Sequence, residues 1–144
     1  MLNTVTSVRE LRTLYPFLEE GVEAIRAKSP QVTEIAADVY AAIASNMADM
    51  VVLTDGDRPW GWSVYHIETE ATGDRVLRSW MSYIRVGAPA AMLRDLLDGM
   101  EAIAVNARAD RISFTTTRPA WGRKLAPDGY KVMSLVFEKE VDHG

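Results

Sequence analysis

The chain has no cysteine. That removes disulfides, thiolate nucleophiles and thiolate metal sites together. Histidine is scarce as well. His66 and His143 stand far apart, in no spacing that holds zinc, so no metal is expected. Positive charge is not in excess, because sixteen Lys and Arg against twenty Asp and Glu leave a net charge of −4. Arg9, Arg12, Arg26 and Lys28 are interleaved with Glu10, Glu19, Glu20 and Glu23, the pattern of a mixed solvated surface, so nucleic acid is not an expected partner. No apolar run approaches the roughly 18–20 residues that span a bilayer, so no membrane partner is expected. The opening Met1-Leu2-Asn3-Thr4-Val5-Thr6 has neither the basic start nor the apolar core of a secretion signal. A cytoplasmic protein is the expectation. A phosphate-binding Walker loop and a Gly-x-Ser-x-Gly nucleophile turn are both missing.

What is present is a globular mixture, 48% hydrophobic and 25% charged over 144 residues. That length suits one domain spanning 1–144 with its own core. The first 46 residues read as helices. Ser7 and Glu10 have capping-box spacing, which predicts a short helix from Val8 to Tyr15. Pro16 then suits the first turn of a second helix, with Phe17, Leu18, Gly21, Val22 and Ile25 on its apolar side. A third helix is predicted from about Gln31 to Ser45.

The period then shortens to two. Met50 to Thr54, Gly61 to Glu70 and Arg75 to Arg85 read as strands, joined by turns at Asp55-Gly56-Asp57 and Ala71-Thr72-Gly73-Asp74. Alternation along the third strand puts Val76, Trp80 and Ile84 on one face and Leu77, Met81 and Tyr83 on the other. A long helix follows from Ala90 to Arg108, then a strand from Arg111 to Thr117, which together suggest a parallel crossover. Pro119 to Leu125 predicts a short helix, Pro127-Asp128-Gly129 a turn, and Lys131 to Val141 a last strand. That strand carries Met133, Leu135 and Phe137 on one face and Val132, Ser134 and Val136 on the other.

Helices, a three-strand meander, a long helix, a strand, a short helix and a strand resemble, in that order, the GNAT (GCN5-related N-acetyltransferase) superfamily over residues 7–141. Two local stretches are similar to the family's motifs. Tyr83-Ile84-Arg85-Val86-Gly87-Ala88-Pro89-Ala90-Ala91 lies where the family carries its cofactor loop, and Trp121-Gly122-Arg123-Lys124-Leu125 with Gly129-Tyr130-Lys131-Val132 resembles its Tyr-x-x-Leu-Gly-Phe segment. The resemblance implies an α/β fold with a mixed, mostly antiparallel sheet and helices on both faces. It implies N-acyl transfer from acetyl-CoA, with the diphosphate at the N-terminus of the long helix. Tyr83, Arg85, Val86, Gly87, Ala88, Ala90 and Ala91 are the cofactor-binding candidates. Relatives of this size also occur in bacteriophages, which adds a virion-associated protein to the expectations.

The match to the family's Arg/Gln-x-x-Gly-x-Gly/Ala loop is loose. Ala88 stands for the first glycine, Gly87 is shifted by one, and Pro89 has no N–H to offer. A plain strand-to-helix turn is the competing reading. The third meander strand has no carboxylate, and Trp121 or Gly122 holds the place of the family's tyrosine. His66 and Glu68, on one face of the second strand with Glu70, and Tyr130 are the substitute catalytic candidates. A solvated face for the first three and an aromatic strand entry for Tyr130 are the alternatives. The Trp60-Gly61-Trp62 run points to a protein partner or a homo-oligomer, against packing beneath the helices. Two functional readings result: an acetyl-CoA-dependent N-acyltransferase with a degenerate loop, and a non-catalytic protein of the same fold that acts through protein contacts, such as a phage structural or interaction protein.

Overall fold

Ser7 opens the first helix as its spacing from Glu10 predicts. Its hydroxyl accepts from the Glu10 amide at 3.1 Å, and the Glu10 carboxylate reaches back to the Thr6 amide, also at 3.1 Å. The helix does not stop at Tyr15. In this computed structural model, which describes residues 1–116 and 118–144, α1 runs unbroken over Val8–Lys28 with Pro16 inside it. A proline there deprives the Arg12 carbonyl of its helical donor, at a cost of about 3 kcal/mol. Pro16 and Arg12 are both exposed, so water can serve that carbonyl. Leu11, Phe17, Leu18 and Val22 form one buried stripe across the proline, and that burial outweighs the local penalty. The next helix, α2 (Ala36–Ala44), begins at Ala36 rather than near Gln31. The Asp38 carboxylate accepts from the Ile35 amide at 2.9 Å and fixes the start there.

Hydropathy gives no sign of β1 (Leu2–Thr4), which pairs antiparallel with β2 (Asp49–Asp55), Leu2 opposite Leu53. The meander continues through β3 (Arg58–Thr69) and β4 (Arg75–Ile84), both antiparallel to their predecessors. Gly56, at φ +60°, supplies the left-handed residue of the β2–β3 turn. Helix α3 (Ala91–Asn106) then carries the chain to β5 (Arg111–Phe114), which lies parallel to β4 as the crossover predicts. Thr117, the expected end of that strand, lies outside the described residues. Helix α4 (Ala120–Leu125) runs into a 3-10 turn over Ala126–Asp128.

The five strands make one sheet in the order β1-β2-β3-β4-β5. On one face α1 and α2 bury Leu18, Val22 and Val39 against Met50, Val52, Trp62 and Val64. On the other, α3 buries Leu96 and Met100 against Val51, Leu53, Tyr65 and Leu77. The architecture is the mixed, mostly antiparallel sheet with helices on both faces. Among the described residues no helix is long and apolar enough to cross a membrane.

Two expectations from alternation do not hold. The β3–β4 register slips so that Val64 faces Met81 while Tyr65 faces Ser79, and Trp80 becomes an extra residue. Such a bulge reverses the faces used beyond it. Leu77 and Ile84 therefore share the α3 side, and Met81 and Tyr83 the α1–α2 side. The second correction concerns Lys131 to Val141, which form no strand. Period-2 patterning assigns side chains to faces but names no neighbouring strand, and in the single chain this segment finds none.

Candidate functional site

Strands β4 and β5 pair from Val76 and Arg111 to Ser79 and Phe114, and then part. β4 continues to Ile84, whereas the chain after Phe114 leaves toward α4. The bulge at Trp80 lies at that point of separation. The gap opens into a groove of about 790 Å³. Its walls are the second half of β4, the 85–90 turn, Trp121 and Leu125 of α4, the end of α1 and the loop that follows it.

The 85–90 turn is built by local chemistry. The Ala88 amide donates to the Arg85 carbonyl at 3.2 Å, and Gly87 between them sits at φ +85°, where a side chain is strained. Pro89 has no N–H, but its carbonyl accepts from Met92 at 2.9 Å and starts α3. The amides of Val86, Gly87, Ala90 and Ala91 donate to no group among the described residues. The first turn of α3 carries no acidic side chain, so the positive end of the helix dipole is uncompensated there. Tyr83, Arg85, Val86, Gly87, Ala88 and Ala90 all line the groove, and Ala91 lies just outside it.

Arg85 is committed elsewhere. Its guanidinium grips both oxygens of Glu20 on α1 at 2.7 Å, donates to the Pro59 carbonyl at 3.0 Å, and lies 4.5 Å from the Phe17 ring centre. The Tyr83 hydroxyl donates to the same Glu20 carboxylate at 2.8 Å. Arg85 accordingly holds the Glu20 carboxyl below its ordinary value of 4.5, and burial pushes the Tyr83 phenol up. The cations left to the groove are Lys28, Arg118 and Lys124. None of these three pairs with a carboxylate among the described residues, and the Lys124 ammonium lies 5.2 Å from the Trp121 ring centre.

Three features of the site escape sequence reasoning. Ser63, Ser79 and Ser82 form a hydroxyl cluster, with Ser63 2.9 Å from Ser82 and Ser79 3.0 Å from Ser82. Residues three apart in a regular strand face opposite ways, so only the bulge lets Ser79 and Ser82 meet. Glu34, in the loop between α1 and α2, is the one carboxylate among the described lining residues, and no periodicity marks it. The Glu20–Arg85 pair joins positions 65 apart in sequence, with no local signal.

The substitute catalytic candidates stand away from the groove. His66 contacts Glu68 at 3.2 Å, Glu68 accepts from Arg78 at 2.6 Å, and Arg78 also reaches Glu70 at 3.1 Å. Glu70 in turn pairs with Arg111, which holds Asp74 at 2.8 Å. This is a partly exposed ionic network across β3, β4 and β5, and none of its members lines the groove. Arg78, and then His66, draw the Glu68 carboxyl below its ordinary value. Tyr130 packs edge-on against Phe114, ring centres 5.4 Å apart, and burial raises its phenol. Trp62 is fully buried, its Nε1 donating to the Phe17 carbonyl at 3.1 Å, so its ring offers a partner no surface. Trp60 is half-buried, with the Arg58 guanidinium 4.2 Å from its ring centre. No three His, Cys, Asp or Glu among the described residues are grouped to hold a metal ion.

By sequence, no family profile and no curated relative matches the chain. Solved structures do match across its whole length. One is a probable acetyltransferase, with TM-score 0.73 and 14% identity over 100% of this chain and 98% of that one. Another is a ribosomal-protein-alanine N-acetyltransferase from Brucella melitensis biovar Abortus 2308, with TM-score 0.68 and 14% identity over 100% of both chains. A third is a possible acetyltransferase from Clostridium difficile 630, with TM-score 0.69 and 12% identity over 99% and 98%. This is the GNAT fold. The residues present suit an acyl-CoA in kind. Free amides at a helix start fit a diphosphate, and Tyr83, Trp80, Met81 and Leu93 give the lining apolar surface for a pantetheine arm.

Proposed function

We propose that this chain is an N-acyltransferase that takes its acyl group from acetyl-CoA held in the groove between β4 and β5. One observation carries the reading. The unpaired amides of Val86, Gly87 and Ala90 line the same groove as the uncompensated cations Arg118 and Lys124, at the point where a strand pair opens. Oriented N–H groups and a helix dipole stabilise a diphosphate without a large net charge.

The loop is a reduced version of the family's. Pro89 removes one amide, and Glu20 neutralises Arg85, so Arg118 and Lys124 take over the supply of positive charge. A bound acyl-CoA would supply an activated thioester: as the amine nitrogen forms the new amide bond, the C–S bond would break and CoA would leave as the thiolate, which takes up the proton the amine sheds to become the thiol. Glu34 is the group placed to accept the proton from that amine, directly or through one water. The Ser79–Ser82 hydroxyls border the groove at the bulge and offer donors to an acyl oxygen. The serines stand on the strand where the family's carboxylate is missing, and Glu34 reaches the groove from the helical side.

Calorimetry with acetyl-CoA tests this. Binding in the micromolar range is expected, and Ala91→Glu is expected to weaken it at least tenfold, on the order of the 1.4 kcal/mol that a tenfold change represents. The same substitution favours the α3 dipole by about 0.3–1 kcal/mol, so a raised melting temperature alongside weakened binding excludes misfolding as the cause. No heat at millimolar acetyl-CoA would sink the enzyme and leave the non-catalytic alternative.

A further inference from the structure

The hydroxyl cluster at the bulge has one member set back from the groove. Ser63 of β3 stands opposite Ser82 of β4. It is fully buried and does not border the groove, whereas Ser79 and Ser82 do. Its Oγ lies 2.9 Å from that of Ser82, 3.3 Å from that of Ser79 and 3.4 Å from the Met81 carbonyl oxygen. Ser79 and Ser82 are 3.0 Å apart, so the three Oγ atoms close a triangle. Each hydroxyl has one proton to give and lone pairs to receive. With the groove empty, the three protons can run head to tail round the triangle, and every hydroxyl is satisfied without water. An acceptor atom that enters the groove can take one of these protons and open the ring into a chain. No buried hydroxyl is then left without a partner, which would cost its full desolvation. Ser82 is half-buried and Ser79 only 3% exposed, so Ser82 is the end of the chain that meets the groove.

We propose that Ser63 is a positioning residue for acyl transfer, aiming the Ser82 hydroxyl at the thioester carbonyl oxygen of a bound acyl-CoA. Ser79 donates to Ser63, Ser63 donates to Ser82, and Ser82 donates to the acyl oxygen. Donors in series polarise one another, so the last is stronger than a lone serine. Negative charge grows on that oxygen as the amine adds, and a donor oriented beforehand stabilises it there. Ser63 touches no substrate and acts only through Ser82. The proposal rests on the acyltransferase reading, and its test separates the two.

Acetyl-CoA carrying carbon-13 at its carbonyl is bound to the full chain and read by difference infrared spectroscopy, with calorimetry to confirm occupancy. Donation to the oxygen weakens the carbonyl bond and lowers its stretching frequency. Ser82→Ala is expected to raise the band most. Ser63→Ala is expected to raise it by a smaller amount, on the order of 10–30% of that, the share each link adds to a hydrogen-bond chain. Ser63→Cys keeps a weak donor and is expected to fall between Ser63→Ala and the wild type. Acetyl-CoA affinity is expected to stay near the wild-type value in both Ser63 variants, because Ser63 lies outside the groove. If Ser63→Ala does not fold, Ser63→Cys, closer to serine in volume, carries the comparison. A Ser63→Ala band that coincides with the wild type while acetyl-CoA is bound would overturn the proposal and leave the acyltransferase reading standing. A band unmoved by Ser82→Ala would do the same, as would Ser63→Cys shifting as far as Ser63→Ala. A wild type that binds no acetyl-CoA would overturn both.

Discussion

The α1–α2 side of the sheet and the β4–β5 boundary are built to different ends. On the α1–α2 side the packing is closed. Trp62 is fully buried against Gly21, with its indole N–H satisfied by a helix carbonyl, and a Cβ on Gly21 would stand 2.4 Å from the Trp62 ring. At the β4–β5 boundary the contacts are left open. The strands part, amides go unused, three cations lack carboxylates, and the last edge has no neighbour among the described residues. The closed region supplies rigidity and the open region supplies surface for ligands. Stability and binding are therefore expected to respond to different substitutions.

Breaking the closed side gives the largest effect. Trp62→Ala removes a buried indole and its hydrogen bond and is expected to cost about 3–5 kcal/mol, read as a lower urea midpoint with an unchanged slope. Gly21→Ala comes next. The clash with Trp62 is expected to cost about 1–3 kcal/mol, offset in part by the roughly 1 kcal/mol that alanine gains over glycine in a helix. Equal or greater stability in that variant would show that the indole has room to move and that the closed side is looser than its geometry suggests.

The smallest effect sharpens the contrast, because Glu20 links the two regions. Its carboxyl titrates below 4.5 in the folded chain, chiefly through Arg85. A lowered folded value means that its stabilising contribution is present above the unfolded value and is lost as pH falls through the folded one. Glu20→Gln is thus expected to melt slightly below the wild type at pH 7, with the difference shrinking as the pH falls below 4.5. It also frees the Arg85 guanidinium beside the groove, so acetyl-CoA is expected to bind the variant more tightly at pH 7. A pH-independent melting difference would mean that the pair contributes packing and not charge.

Much of the architecture was legible in local pattern. The meander, its turns, the long amphipathic helix and the crossover strand follow from period, from glycine placement and from Ser7 with Glu10. The errors have separate causes. The pattern around Pro16 suggests a boundary, although the exposed Arg12 carbonyl that loses its donor can be served by water while the apolar stripe continues. β1 is too short to show a period. The 85–90 turn was legible because a strand-to-helix turn with glycine is a local event. Glu34, the serine cluster and the engagement of Arg85 by Glu20 were not, because each depends on residues brought together from distant parts of the chain.

By itself the sequence determined the meander, the long helix and the crossover strand, and that the chain offers no thiol of its own, since both are properties of residue type and spacing. The tertiary structure alone decided which strands part, which faces the bulge exchanges, which arginine is already spent on a glutamate and which patterned segment is left without a neighbour. Those outcomes rest on pairings across dozens of residues. Their free energy comes from shared burial and hydrogen bonding, which no single stretch of chain contains.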